Sequence, residues 1–241
     1  MRLDKYICSC TDYTRSKVKK LIKKGIIVNE FLVRNADYKI NEKEDIVKIG
    51  EKVLNYKKYI YLMLNKEAGV ITATFDKKEK VVLDYLDEKE KIFSPFPVGR
   101  LDKDTEGLIL LTNDGILAHN ILSPKKDIKK KYYVEVNGEL TFNHVEIFEK
   151  GIKLKDFKCK SAKLEIIRSD KHESKAYITI SEGKFHQIKR MINSIRLNVT
   201  YLKRISIGTL VLDKNLALGK YRHLNEIELK KLKEEVIIYG N

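Results

Sequence analysis

Three stretches of the chain hold polar residues at spacings that a hydrophobic core would not select. The first is PFPVGRLDKDTEGLILLTNDG, residues 95–115. Pro95 and Pro97 stiffen the approach, Gly99 and Gly107 bracket a turn, and the apolar run GLILLT suits a strand that anchors this turn in the core. Asp102 sits at the apex, where an aspartate serves either as a cap or Asx-turn residue or as a carboxylate held out for chemistry. Asp102 and Asp104 also have the D-x-D spacing of a metal site. A hard cation wants several oxygens, however, and the flanking Arg100 and Lys103 would repel one. The second stretch is KKKYYVEV, where Lys129, Lys130 and Lys131 run directly into a strand. Tyr132 and Tyr133 must then point to opposite faces, so only one of them can face a given cleft. Either ring could be plain core, or could stack on an unpaired base while the lysines track phosphate. The third stretch is EGKFHQIKRMINSI, residues 182–195. On a helix, Met191, Ile192 and Ile195 fall within about 60° of Ile188, which defines a buried stripe. Lys189 then borders the core and Arg190 points to solvent. A border lysine can snorkel to water, or hold its ammonium against a partly buried carboxylate and keep that acid ionised.

The elements that must position these residues are legible from Tyr59 onward. YIYLMLNK, KKYYVEV, SAKLEII, AYITISEG and GTLVL read as strands, and NDGILAHNIL, FNHVEIFEK, HQIKRMINSI and EIELKKLKEEV as amphipathic helices. Strands and helices do not alternate strictly. The pattern therefore predicts an α+β domain over residues 59–241, with a mostly antiparallel central sheet and flanking helices.

The start of the chain reads differently. TRSKVKKLIKK carries Arg15, Lys17, Lys19, Lys20, Lys23 and Lys24 with no acid, just before Gly25, where a helix commonly stops. Val18, Leu21 and Ile22 share one helical face and the lysines take the other. Like charges at i,i+4, such as Lys19 with Lys23, cost a few tenths of a kcal/mol per pair, and a phosphate backbone would relieve them. IIVNEFLVRNADYKI then reads as two short strands around an Asn29-Glu30 turn, EDIVKI as a third, and residues 50–58 as a linker.

The chain has 241 residues, and 49 Lys+Arg against 34 Asp+Glu give a net charge of +15. A polyanionic partner is the first expectation. No apolar run approaches the roughly 20 residues of a membrane span, and the charged beginning MRLDKYICSC lacks the apolar stretch of a secretory signal. A cytoplasmic protein with no membrane partner is expected. Cys8, Cys10 and Cys159 fit that compartment as reduced thiols, and the C-x-C pair has no second Cys/His pair nearby to complete a zinc set. No nucleotide-binding glycine loop is present.

Two resemblances follow. RLDKYI, TRSKVKKLIKKG, IIVNE and DIVKI resemble an S4 RNA-binding domain, which implies RNA contact by residues 1–58. VGRLDKDTEGLILLTNDG, KKKYYVEV and ISEGKFHQIKRMI, followed by YLKRISIGTLVLDKNLALGKYRHL, resemble the RsuA family of pseudouridine synthases in both order and spacing. The wording HQIKRM looks more like the branch acting on 16S rRNA than the 23S branches. The resemblance implies isomerisation of a uridine in ribosomal RNA to its C-glycoside, with no cofactor, in a chain expected to work as a monomer. It places the catalytic aspartate on Asp102, the base-stacking tyrosine on Tyr132 and the aspartate's basic partner on Lys189. RNA contacts are expected from the helix Arg15 to Lys24, from Arg100, Lys129, Lys130 and Lys131, and from His186 and Arg190. In LMLNKEAGVIT, Glu67 stands where the family usually has proline, which changes the local turn. The rival expectations are a 23S enzyme, a noncatalytic ribosome-assembly module, or a hydrolase pairing Asp102 with Asp104 or Glu106.

Overall fold

A computed structural model describes residues 1–238, in two compact units. The first comprises Met1–Ile60 together with Leu86–Pro95. It contains helices α1 (Leu3–Cys10) and α2 (Arg15–Lys24), strands β1 (Ile26–Val28), β2 (Phe31–Val33), β3 (Val47–Ile49) and β4 (Lys52–Leu54), and the short helix α3 (Glu88–Lys91). The four strands form an antiparallel sheet in the order β2-β1-β3-β4. Leu3, Tyr6, Ile7, Val18, Ile22, Ile26, Val28 and Val47 make its core. Helix α2 starts where Thr14 accepts a hydrogen bond from the Lys17 amide (3.3 Å) and stops at Gly25, whose φ of 117° few other residues adopt. The β1–β2 turn runs through Asn29 and Glu30, both at positive φ. Asn29 fixes it by donating to Asp45 and accepting from the Ile46 amide, both at 2.8 Å. The expected linker at 50–58 instead supplies β4. Its Leu54 is buried, and its carbonyl accepts from the Tyr6 hydroxyl at 3.2 Å, a contact no local pattern announces.

The second unit holds the elements expected to carry chemistry. These are β5 (Tyr61–Lys66), β6 (Phe96–Pro97), β7 (Glu106–Thr112), α4 (Gly115–Leu122), β8 (Lys130–Asn137), α5 (Phe142–Lys150), β9 (Lys163–Ser169) and β10 (Glu173–Ile180). Beyond them come α6 (Gln187–Ser194), β11 (Asn198–Ile207), β12 (Leu210–Val211), β13 (Tyr221–His223) and α7 (Glu226–Ile238). Nine strands form one sheet with the main order β13-β5-β7-β11-β8-β10-β9, β6 pairing with β7 and β12 with β11. Every pairing is antiparallel except that of β11 with β7, so the sheet is mostly antiparallel as expected.

The expected strand GTLVL contributes only the two residues of β12, whereas the ten-residue β11 at the centre of the sheet reads poorly in sequence. Its segment NVTYLKRISI mixes charge with apolar residues, because Leu202 and Arg204 are buried while Lys203 is not. Strand β5 is buried at all its positions, lying between β13 and β7. Strand β8 alternates cleanly: Lys130, Tyr132, Val134 and Val136 face the core, and Lys131, Tyr133 and Glu135 the other side.

The parallel junction depends on a glycine. Gly107 pairs with Arg204 at φ 101°, and a Cβ there would lie 2.2 Å from the Arg204 carbonyl oxygen. Gly107→Ala is accordingly expected to lower unfolding stability by more than about 2 kcal/mol, read as a fall in the midpoint of a denaturant titration. An unchanged midpoint would show that β7 and β11 can separate freely.

Candidate active site

Asp102 lies in the loop between β6 and β7, and that loop is held from beneath by residues of β5 and the segment after it. The Lys66 side chain is fully buried at the end of β5. Its ammonium donates to three backbone carbonyls, those of Glu67 (2.9 Å), Lys103 (3.1 Å) and Thr105 (2.8 Å). Burial pulls the Lys66 pKa down to about 8, and the acids Asp104, Glu106 and Asp102 oppose that shift. The Thr72 hydroxyl donates to the Leu101 carbonyl (2.9 Å) and accepts from the Leu101 amide (3.1 Å). The Gly69 amide donates to the Lys103 carbonyl (2.8 Å), and the Thr105 amide turns back to the carbonyl of Asp102 (3.1 Å). Side chains add a second tie, since Lys103 pairs with Glu79 at 2.8 Å. Backbone on both sides of Asp102 is therefore fixed by ties that do not engage its carboxylate.

Helix α6 brings the cation. At its first residue, the Gln187 side chain is buried, donating to Glu182 (2.7 Å) and accepting from the Lys184 amide (3.0 Å). Glu182 also accepts from the Lys160 amide (2.9 Å). This network shapes the loop so that His186, in a left-handed conformation (φ 49°), caps the helix and Lys189 points back across the loop. Lys189 Nζ lies 3.1 Å from Asp102 Oδ2 and 2.6 Å from Asp104 Oδ1, and His186 Nε2 lies 3.5 Å from Asp102 Oδ1. Partial burial would lower the Lys189 pKa, but its hydrogen bonds to Asp104 and Asp102 outweigh this and raise it. The same hydrogen bond from Lys189 holds the Asp104 carboxyl below its ordinary range. The D-x-D acids thus share an ammonium. Among the described residues, no group of three or more His, Cys, Asp or Glu is placed to hold a metal ion.

Asp102, Lys189 and Tyr132 line one hollow, with Thr105, Ile188 and Leu202 among its walls. Only 8 % of the Tyr132 surface is exposed, and the ring comes from the pocket side of β8. Tyr133 points away, donating to Glu135 (2.6 Å) and packing edge-on against Tyr177 and Tyr201. A carboxylate beside an ammonium, in a hollow lined by an aromatic ring, suits the stabilisation or trapping of an electron-poor sugar carbon under a planar base.

Comparison with known proteins agrees with this chemistry. The sequence pattern described as RNA pseudouridylate synthase matches residues 60–194. The chain belongs to the RNA pseudouridine synthase family. An uncharacterized RNA pseudouridine synthase of Bacillus subtilis, YtzG, is 41 % identical over 237 residues, covering 97 % of this chain and 99 % of its own. The ribosomal small subunit pseudouridine synthase A of Escherichia coli is 36 % identical over 232 residues, covering 95 % and 98 %. A solved pseudouridylate synthase superposes with a TM-score of 0.67 at 33 % identity, covering 96 % of this chain and 99 % of that one.

Other residues singled out in this synthase fall in several places. Arg100 and His186 line the pocket. Lys129 is exposed, but Lys130 is on the core face, 8 % exposed, where burial and the nearby Arg204 charge lower its pKa to about 8. Lys130 therefore departs from the expected surface phosphate contact, because strand alternation turns it inward with Tyr132. Lys131 points to the opposite face, where it pairs with Glu165 (3.2 Å) and lies over the Tyr177 ring. Arg190 is not free in solvent as expected: it pairs with Asp156 and lies 5.1 Å from the Phe157 ring centroid. Arg15, Lys17, Lys19, Lys20, Lys23 and Lys24 are all exposed on α2, and none forms an ion pair among the described residues.

Sequence reading missed Lys66, Thr72, Glu182 and Gln187 as supports of the site. A lysine closing a mostly apolar strand is the available signal for Lys66. Lys66→Met is expected to leave the fold intact but lower turnover about a hundredfold, since the loop carrying Asp102 loses three ties. Its pH signature has a definite sign. The folded pKa of Lys66 lies below the unfolded value, so between about 8 and 10.5 the unfolded chain binds more protons. The stability of the wild type should therefore rise relative to Lys66→Met across that window in denaturant titrations. A constant difference would mean that Lys66 is not a buried ammonium.

Proposed function

We propose that this chain isomerises one uridine of 16S ribosomal RNA to pseudouridine, with Asp102 as the catalytic carboxylate. The observation that carries the proposal is the 3.1 Å pairing of Asp102 with Lys189 in a hollow that also holds Tyr132. The reaction breaks the N1–C1′ bond, turns the detached uracil and joins C5 to C1′. No atom or electron enters from outside. The sugar carbon becomes electron-poor as its bond breaks, and the Asp102 carboxylate supplies charge there, either attacking C1′ or taking a sugar proton toward a glycal. Lys189 holds its ammonium against the carboxylate. Tyr132 stacks on the uracil and retains it while it turns, and the C5 proton is lost at the end.

A paired or stacked uridine hides C1′ and C5, so the target must be unpaired or flipped out, at a cost of a few kcal/mol that phosphate contacts offset. Those contacts are assigned to an S4-like first unit, through the unpaired cations of α2, and to Arg100 and His186 beside the pocket. The choice of small-subunit rRNA, met in the cytoplasm, draws on the wording of the α6 segment and on the Escherichia coli relative, whose name states that substrate. A hydrolase pairing is disfavoured, because Glu106 accepts from Tyr201 (2.5 Å) on the other sheet face and Asp104 is tied to Lys189.

Carbodiimide and primer-extension mapping of rRNA from cells lacking this protein should show the loss of a single small-subunit pseudouridine. Wild type should restore it and Asp102→Asn should not. Equal rescue by Asp102→Asn would remove the catalytic assignment, and a site in large-subunit rRNA would correct the substrate. For the first unit, replacing Lys20 and Lys24 by alanine should flatten the slope of log K against log salt for binding a small-subunit rRNA fragment by about two. An unchanged slope would show that α2 is merely solvated.

A further inference from the structure

Asp102 stands on a wall between two hollows. The pocket with Tyr132 lies on one side. On the other is a wider hollow lined by Ile71, Pro97, Leu122 and Phe185, and the two share Arg100, Asp102, Lys184 and His186. Nothing in the proposed reaction uses Phe185. Its ring stacks on the His186 imidazole, centroids 3.8 Å apart and 17° from parallel, yet the residue remains 70 % exposed. A single exposed phenylalanine needs no explanation. This one is set apart by its position, because His186 itself lies 3.5 Å from Asp102, so the stack runs from the catalytic carboxylate to the rim of the second hollow. The arrangement is held in place: His186 adopts a left-handed conformation, and the buried Glu182–Gln187 hydrogen bond fixes the loop. Exposed Arg100 supplies positive charge to the wall, and Ile71, Pro97 and Leu122 give the hollow apolar surface beside Thr72 and Lys103.

We infer that Phe185, backed by His186, is a stacking platform for the base of the nucleotide adjacent to the target uridine, which occupies the second hollow. The inference rests on the proposed reaction and names a recognition residue for it. An RNA strand that places its uridine against Tyr132 must continue past Asp102, and its neighbouring base is unstacked by the extrusion. A ring with one face covered by imidazole and the other open replaces the lost stacking, and the cations shared by both hollows track the intervening phosphate. Lys184, whose ammonium rests 3.8 Å from the Phe157 ring centroid, sits on the same wall.

The test uses a synthetic RNA hairpin copied from the rRNA segment around the uridine mapped above, intact or with an abasic residue 5′ or 3′ of that uridine. Affinity is measured by fluorescence anisotropy and turnover by pseudouridine analysis. Phe185→Ala should weaken binding of the intact hairpin about tenfold, with KM rising more than kcat falls, and Phe185→Trp should retain affinity. One abasic position should weaken the wild type by a similar factor, and Phe185→Ala should then add no further loss. Thermal unfolding of both variants should match the wild type, as expected of an exposed position. Unchanged affinity in Phe185→Ala, or losses that simply add, would overturn the inference while pseudouridine still forms. Coupling between Phe185 and one flanking base that persists in Asp102→Asn, which forms no pseudouridine, would uphold the platform as recognition separate from the chemistry.

Discussion

The second unit is organised around one ammonium group and the two carboxylates that face it. Lys189 comes from a helix and Asp102 and Asp104 from a loop more than eighty residues earlier, and the contacts of 3.1 and 2.6 Å exist only if both elements are held rigidly. A carboxylate in an enzyme that must approach phosphates works against its own substrate unless its charge is locally balanced. The balance cannot be complete, because a fully neutralised acid would not stabilise positive charge at the sugar carbon. One lysine divided between two acids meets both demands: it pairs with Asp102 and leaves net negative charge at the place where the proposed reaction needs it.

Most of the remaining structure serves to bring these groups together. The loop carrying Asp102 has no regular secondary structure, so its backbone polar groups need partners from elsewhere. Lys66 supplies three donors from the end of β5, and Thr72 bonds both polar groups of Leu101. On the other side, Glu182 and Gln187 fix the loop that opens α6. Gly107 lets β7 approach β11 closely, and β11 in turn sets β8, whose alternation aims Tyr132 into the pocket. Burying polar groups such as Lys66 and Gln187 is tolerable only because each is satisfied by hydrogen bonds.

The residues proposed to react could be singled out in the sequence, and their supports largely could not. Asp102 in a glycine-bracketed turn and Lys189 at the border of a helical stripe follow from local patterns, whereas periodicity shows only that Tyr132 and Tyr133 face opposite ways, and the choice of Tyr132 rests on the family resemblance. Periodicity also located α2, and each expected helix of the second unit was found where it was read. It fails where the partner is distant. β11 looks irregular because one of its charged residues, Arg204, is buried and donates to the Leu108 carbonyl across the sheet. β4 is too short to announce itself and exists because β3 lies beside it. Lys130 reads as a surface cation until strand alternation turns it inward. In each case long-range burial overrides the local chemical type.

Glu67 shows how a departure from the resembled family is accommodated. A proline at that position would fix φ and present no side-chain acceptor. Here the Glu67 carboxylate accepts from the Tyr85 hydroxyl, which with a weaker contact to Lys80 holds the acid below its ordinary range, while its backbone carbonyl accepts from Lys66. Lys80 in turn lies 4.1 Å from the Tyr85 ring centroid. The rigidity that a ring would impart to one residue is thus replaced by contacts spread over the segment from 67 to 85. That segment also carries Thr72 and Glu79, which bind Leu101 and Lys103 on either side of Asp102. The glutamate therefore ties the turn to the loop that holds the carboxylate, and the constraint on Asp102 passes through side chains where a proline would have confined it to the backbone.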